Sequence, residues 1–240
     1  MVLPRDYGTA SSWSLIILYS EFWRHELNRL AMRRPQSITA IISQNGNAFV
    51  EGLGDFWNIV KVAWTNPSEE NLKPLEALTT FDTTKYQYLT GEAEPQSIPP
   101  ETYHLDFALL SRPGNSDIQL NLILDYKNNV ALYPAFHSYF RTHQPPVLAV
   151  WGKNDPFFIP PGAIAFKDSK EAGLKDVEID FVDGGHFALE RHVEEIAGKI
   201  FGFMEKRGLW WSLVLVCQTP NAIRCTREER QRSKWLRPSQ

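Results

Sequence analysis

Between residues 145 and 192 the chain repeats one grammar twice: a short apolar run, a polar or glycine-rich corner, then a helical segment. The first run, residues 147–151 (Val-Leu-Ala-Val-Trp), lies between prolines and Gly152 and suits a buried strand. In the second, residues 177–182, Val177, Ile179 and Phe181 alternate with Glu178 and Asp180, which suits a strand nearer a sheet edge. Helices are predicted over 161–172 and 187–204. Two strands joined by a helix make a parallel βαβ unit, in which ligands gather at the carboxyl ends of the strands. Asp155 stands just past the first of these ends and His186 just past the second. The pattern therefore predicts an α/β fold that brings an acid and a histidine to one sheet edge.

The remainder of the chain is read around that unit. Residues 11–34 suggest a helix, with Ser11 or Ser12 as N-cap and Pro35 beyond its end. Residues 37–43 are β-branched and apolar, the best strand of the first half, and end in the turn-forming corner Gln44, Asn45, Gly46, Asn47. From residue 55 to 140 apolar residues recur at helical spacing, including Phe56, Ile59, Val60, Ala63, then Leu72, Leu75 and Leu78. Two further helices are predicted near 118–126 and 129–140. About 85 residues is too long for an ordinary crossover, so this stretch reads as a mainly helical insertion covering a site. Four segments result: residues 1–54 with one strand, a mainly helical insertion over 55–140, the strand–helix–strand unit and its last helix over 141–207, and a basic, disordered tail over 208–240.

Composition narrows the function. The 240 residues are 43% hydrophobic and 12% aromatic, enough for one sizeable core. A formal net charge of −3 gives no case for nucleic acid or an anionic membrane as partner. Cys217 and Cys225 are the only cysteines and make neither a disulfide framework nor a metal set. No leader opens the chain and no apolar run reaches membrane-spanning length, so a cytoplasmic location is expected.

Val150-Trp-Gly-Lys-Asn-Asp-Pro156, followed by Asp183-Gly-Gly-His-Phe-Ala-Leu-Glu190, resembles the C-terminal half of α/β-hydrolases. The likeness is to the haloalkane dehalogenase and epoxide hydrolase branch, and it covers roughly residues 30–206. It implies a partial, mostly parallel hydrolase sheet with a helical cap insertion, and hydrolysis of a small epoxide or haloalkane-like substrate without metal or cofactor. No Gly-x-Ser-x-Gly is present, whereas Asp6-Tyr7-Gly8 has the form of that branch's nucleophile motif. The resemblance thus implies Asp6 as nucleophile, Asp155 as acid, His186 as base and the Tyr7 backbone N–H as an oxyanion-hole donor. Epoxide opening also needs an acid, for which Tyr86, Tyr88, Tyr103, Tyr126, Tyr133 and Tyr139 all stand as candidates.

The chain departs from the pattern in two places. The strands that precede the nucleophile in the family have no counterpart before Asp6, which reads as N-terminal truncation. Residues 9–28 and those after 207 do not follow the family either. The alternative to an active hydrolase is therefore a catalytically inactive fragment or pseudoenzyme. Asn45 occupies a place where some relatives keep an alternative acid, a role an amide cannot fill. His104, His137, His143 and His192 lack paired spacing and read as surface residues; Asp180 and Asp183 read as solvated, and Trp57 and Trp64 as packing residues.

Overall fold

The computed structural model describes residues 15–20 and 26–209. Four strands run in it: β1 (Leu15–Ser20), β2 (Ile38–Gln44), β3 (Val147–Gly152) and β4 (Val177–Val182). Among the described residues they form one four-stranded sheet in the order β1-β2-β3-β4, every neighbouring pair parallel. Helix α1 (Glu26–Arg33) connects the first two strands. Between β2 and β3 lie α2 (Trp57–Thr65), α3 (Glu69–Leu72), α4 (Phe81–Leu89), α5 (Pro100–Leu110), α6 (Asn115–Ala131) and α7 (Tyr133–His143). Helix α8 (Pro161–Asp168) joins β3 to β4, and α9 (Leu189–Lys206) follows.

The parallel α/β architecture is the one the apolar runs predict. One stretch differs: residues 15–20 are strand, where a helix over 11–34 was expected. Leu15-Ile-Ile-Leu-Tyr-Ser20 has no helical period; its unbroken apolar and β-branched run suits a parallel strand, and the helix is confined to α1.

Strand β3 is buried along its whole length, and the pleat sends its residues alternately to two cores. Val147, Ala149 and Trp151, with Ile41 of β2, face a core built from Trp57, Phe136, Phe140, Ala163 and Phe166. Leu148 and Val150, with Ala40 and Ile42, face a second core closed by Ile196, Phe203 and Met204 of α9. The backbone of His192 is non-helical (φ −103°, ψ 23°), so the apolar stripe of α9 restarts after it and Val193 is 49% exposed.

Strand β4 stands at the sheet edge, as its alternation predicts. Its polar positions carry an ion-pair ladder to α9: Lys199 to Asp180 at 3.4 Å and Lys206 to Glu178 at 3.0 Å. Arg207 then reaches Glu178 at 2.8 Å and also pairs with Asp176, its guanidinium 3.8 Å over the Phe203 ring. The hydrogen bond from Arg207 holds the Asp176 carboxyl below its ordinary range. Burial alone would raise Glu178, but hydrogen bonds from Arg207 and Lys206 outweigh it and bring that carboxyl below its range too. Carboxyls lowered on folding stabilise the fold above their unfolded pKa and lose that contribution as pH falls through the folded one. Arg207→Ala is therefore expected to cost about 1 kcal/mol at pH 7. The difference from the unaltered chain should shrink towards pH 3 in urea titrations; a cost independent of pH would show that packing, not charge, is what Arg207 contributes.

Candidate active site

The site forms where β2, β3 and β4 end. After β3, the chain turns with the Asp155 N–H donating to Gly152 O at 3.2 Å, and the following segment is pinned from two sides. The Trp57 indole N–H donates to Phe157 O at 3.1 Å, and that of Trp151 to Phe158 O at 2.6 Å. Gly54 N–H also donates to Phe157 O, and Leu53 bridges Phe158 in antiparallel fashion. Both tryptophans thus pack and hold the acid loop, which fits the packing role expected of Trp57.

Asp155 is 2% exposed and its carboxylate accepts four hydrogen bonds. Oδ1 takes the N–H groups of Phe157 (2.8 Å) and Phe158 (3.1 Å). Oδ2 takes the Asn45 amide at 2.6 Å and lies 3.0 Å from His186 Nδ1. A carboxylate is acceptor-only, so Nδ1 carries the proton in this contact and the basic lone pair of neutral His186 is on Nε2. The imidazole is 5% exposed and packs among Phe157, Phe158 and Phe187, with centroids 4.9, 5.8 and 5.0 Å away.

Sequence reasoning passed over Asn45. Unable to act as an acid, the amide serves as the junction of the site. Its Nδ2 donates to Asp155 and to Gly185 O (3.3 Å), while Oδ1 accepts from Gly152 N–H (3.0 Å) and Gln44 Nε2 (2.6 Å). Its backbone is left-handed (φ 48°), a conformation asparagine tolerates better than most residues. The signal was present: an asparagine at the carboxyl end of a buried strand, inside a turn-forming corner. His192 and His137 also differ from the surface role expected of them. His192 faces Glu92 at 3.3 Å, and His137 stacks on Phe49 at 4.5 Å and meets Ala48 O at 2.9 Å. Asp183 and Asp180 are partly solvated, as expected, each also paired with a lysine.

His186 lines a cavity of about 400 Å³ together with residues of the helical insertion, among them Tyr88, Asp106, Leu109 and Ile123. Of the six candidate tyrosines only Tyr88 lines it; its hydroxyl donates to Asp106 and its ring lies 4.5 Å from that of Phe187. Tyr126 and Tyr133 are buried and bond to each other at 3.0 Å. Asp106 and Glu190 are the carboxylates of the lining, which includes no Lys or Arg among the described residues. Burial, and secondarily the charge of Asp106, raise the Glu190 carboxyl above its ordinary range. Asp6 and Tyr7 lie outside the described residues, as does the tail from residue 210. Among the described residues no group of three His, Cys, Asp or Glu side chains is placed to hold a metal ion, and no helix is long and apolar enough to cross a membrane.

Solved structures share the fold. A haloalkane dehalogenase from Agrobacterium tumefaciens superposes with a TM-score of 0.58 at 17% identity, over 79% of this chain and 66% of that one. A 2-hydroxy-6-oxo-6-phenylhexa-2,4-dienoate hydrolase from a Rhodococcus strain gives 0.55 at 14% identity, over 80% and 64%. The chain has the α/β-hydrolase fold. At these identities the α/β-hydrolase likeness speaks for the fold alone. No family model matches the chain. In sequence it is 40% identical to an uncharacterized hydrolase of Saccharomyces cerevisiae over 176 residues, 72% of this chain, and it spans 59% of that relative's length.

Proposed function

We propose that the protein is a hydrolase in which His186 and Asp155 serve as base and orienting acid, and Asp6 as nucleophile, towards a small epoxide or haloalkane-like substrate. The observation that carries this reading is the buried contact of 3.0 Å between His186 Nδ1 and Asp155 Oδ2 at the wall of a cavity. In the first step a carboxylate oxygen of Asp6 attacks an sp³ carbon; the carbon–halogen or ring carbon–oxygen bond breaks, and an ester forms. For an epoxide the resulting alkoxide takes a proton, and Tyr88 is the cavity's phenol; its hydroxyl must first turn away from Asp106. His186 Nε2 then removes a proton from water, the hydroxide adds to the ester carbonyl, and the alcohol leaves as Asp6 regains its carboxylate. Asp155 stabilises the imidazolium formed in this step, whose proton then passes to solvent alongside the released halide or, after epoxide opening, to the Tyr88 phenolate. The lining favours a neutral substrate, since its charged groups among the described residues are carboxylates and an anion would meet no counter-charge.

A second reading, a protein that binds without turnover, draws on one observation: Asp6 precedes β1, lying nine positions before Leu15, rather than following the strand that leads into α1. Trapping separates the two. His186→Ala should retain attack but lose water activation, so an ester should accumulate on Asp6 when the variant is incubated with small epoxides and haloalkanes. A mass increment mapped to Asp6 supports the hydrolase. A folded variant that stays unmodified across the panel supports the second reading.

A further inference from the structure

Glu92 is a buried carboxylate that the chemistry above does not use. It lies between α4 and α5, and its side chain is 1% exposed. Oε1 accepts the N–H of Gly185, the residue before His186, at 2.8 Å. Oε2 faces His192 Nε2 at 3.3 Å, and His192 Nδ1 in turn faces Glu195 at 3.6 Å. The carbonyl of Gly185 receives the Asn45 amide at 3.3 Å. Both polar groups of this one residue are therefore held by buried side chains from two distant parts of the chain. The approach is close: a Cβ on Gly185 would fall 2.0 Å from Thr90 O. On the other side, Asn154 Nδ2 donates to Gly91 O at 2.8 Å. Residues 90–92 of the helical insertion thus touch both the loop that carries Asp155 and the loop that carries His186.

We infer that Glu92 is a positioning residue, which fixes the Gly185 backbone and so holds the His186 imidazole against Asp155. A carboxylate is costly to bury unless its oxygens are engaged, and here one engagement falls on the residue adjoining the base. The same contact ties the dyad geometry to the seating of the helical insertion. Inserted helices that lift from the sheet would release Gly185 and loosen His186.

This inference rests on the reading of His186 as the base, but its test needs no turnover, so it can fail separately from ester trapping. In NMR spectra of the ¹⁵N-labelled 240-residue chain, the His186 Nδ1–H held by Asp155 should give a slowly exchanging downfield resonance. Glu92→Ala should lose that resonance and speed exchange of the Gly185 amide by roughly tenfold or more. Glu92→Gln keeps an acceptor oxygen and should retain both signals. A folded Glu92→Ala variant with both signals unchanged would overturn the inference, and so would their loss in Glu92→Gln. Should Glu92→Ala not fold, the Gly185 amide of the unaltered chain decides: protection from exchange supports the role, and exchange at the rate of an open loop overturns it.

Discussion

Replacing Gly152 by alanine is expected to cost about 3 kcal/mol or more and to separate His186 from Asp155. A Cβ at Gly152 would lie 2.0 Å from Gly185 O and 2.7 Å from Gly184 O. Both are backbone atoms, so no side-chain rotation relieves the overlap. The histidine loop would have to retreat, and it is tethered on three sides. Asn154 N–H donates to Gly184 O at 3.1 Å, Glu92 takes the Gly185 N–H, and Asn45 donates to the Gly185 carbonyl. Strand β3 is buried at every position and cannot yield instead. Urea unfolding of Gly152→Ala, with Gly202→Ala on α9 as a control that meets nothing within 4 Å, measures the effect. The control should be neutral or slightly stabilising, as a helical Gly→Ala change. Equal midpoints for the two variants would mean that the loop after β4 accommodates a methyl group and is not held as described.

Asn45→Asp should be at least as damaging near neutral pH, for an electrostatic reason. The change puts a carboxyl group where an amide now donates to Asp155 Oδ2 at 2.6 Å, in a place with 0% exposure. Two adjacent buried carboxylates cannot both ionise cheaply, so the pair takes up a proton on folding. A folded pKa raised above the unfolded one gives stability that is present at low pH and lost as pH rises. The destabilisation, about 3–5 kcal/mol at pH 7, should therefore shrink below the ordinary carboxylate range, where the introduced group is protonated and again donates to Asp155. Asn45→Ala provides the contrast: it leaves Gly152 N–H without its acceptor and Asp155 Oδ2 without one donor, at a cost of about 2–3 kcal/mol that should level off above the ordinary carboxylate range rather than grow with pH. If the Asp variant loses the same stability from pH 4.5 to 8, repulsion with Asp155 is not the cause.

Much of the fold and half of the candidate site are legible in the sequence. Strands β3 and β4 announce themselves because parallel strands are short apolar runs with turn residues at their ends, and the corners after them carry Asp155 and His186. What period and composition could not reach are contacts between distant elements. Nothing in the residues around Glu92 or Asn45 says that both side chains meet at Gly185, because that meeting depends on how the helical insertion sits on the sheet. Residues 15–20 are hidden for a different reason: cap signals at Ser11 or Ser12 and at Pro35 bracket one long stretch, and a six-residue strand within it carries no boundary signal of its own. Asn45 cannot be an acid; its value lies in being both donor and acceptor, which no residue pattern displays.

The sheet's centre also has a history. Ile41 of β2 pairs with Val147 of β3, so joining these neighbours closes a loop of roughly 100 residues that contains the whole helical insertion. Pairings of such long range form late and slowly, whereas helices such as α6 and α7 need only local contacts. Asn45 and Asp155 come together only when that loop closes, so the dyad's support is assembled at the last stage of folding. Chains caught before it would hold formed helices beside unpaired β2 and β3 edges, the species most exposed to association with one another.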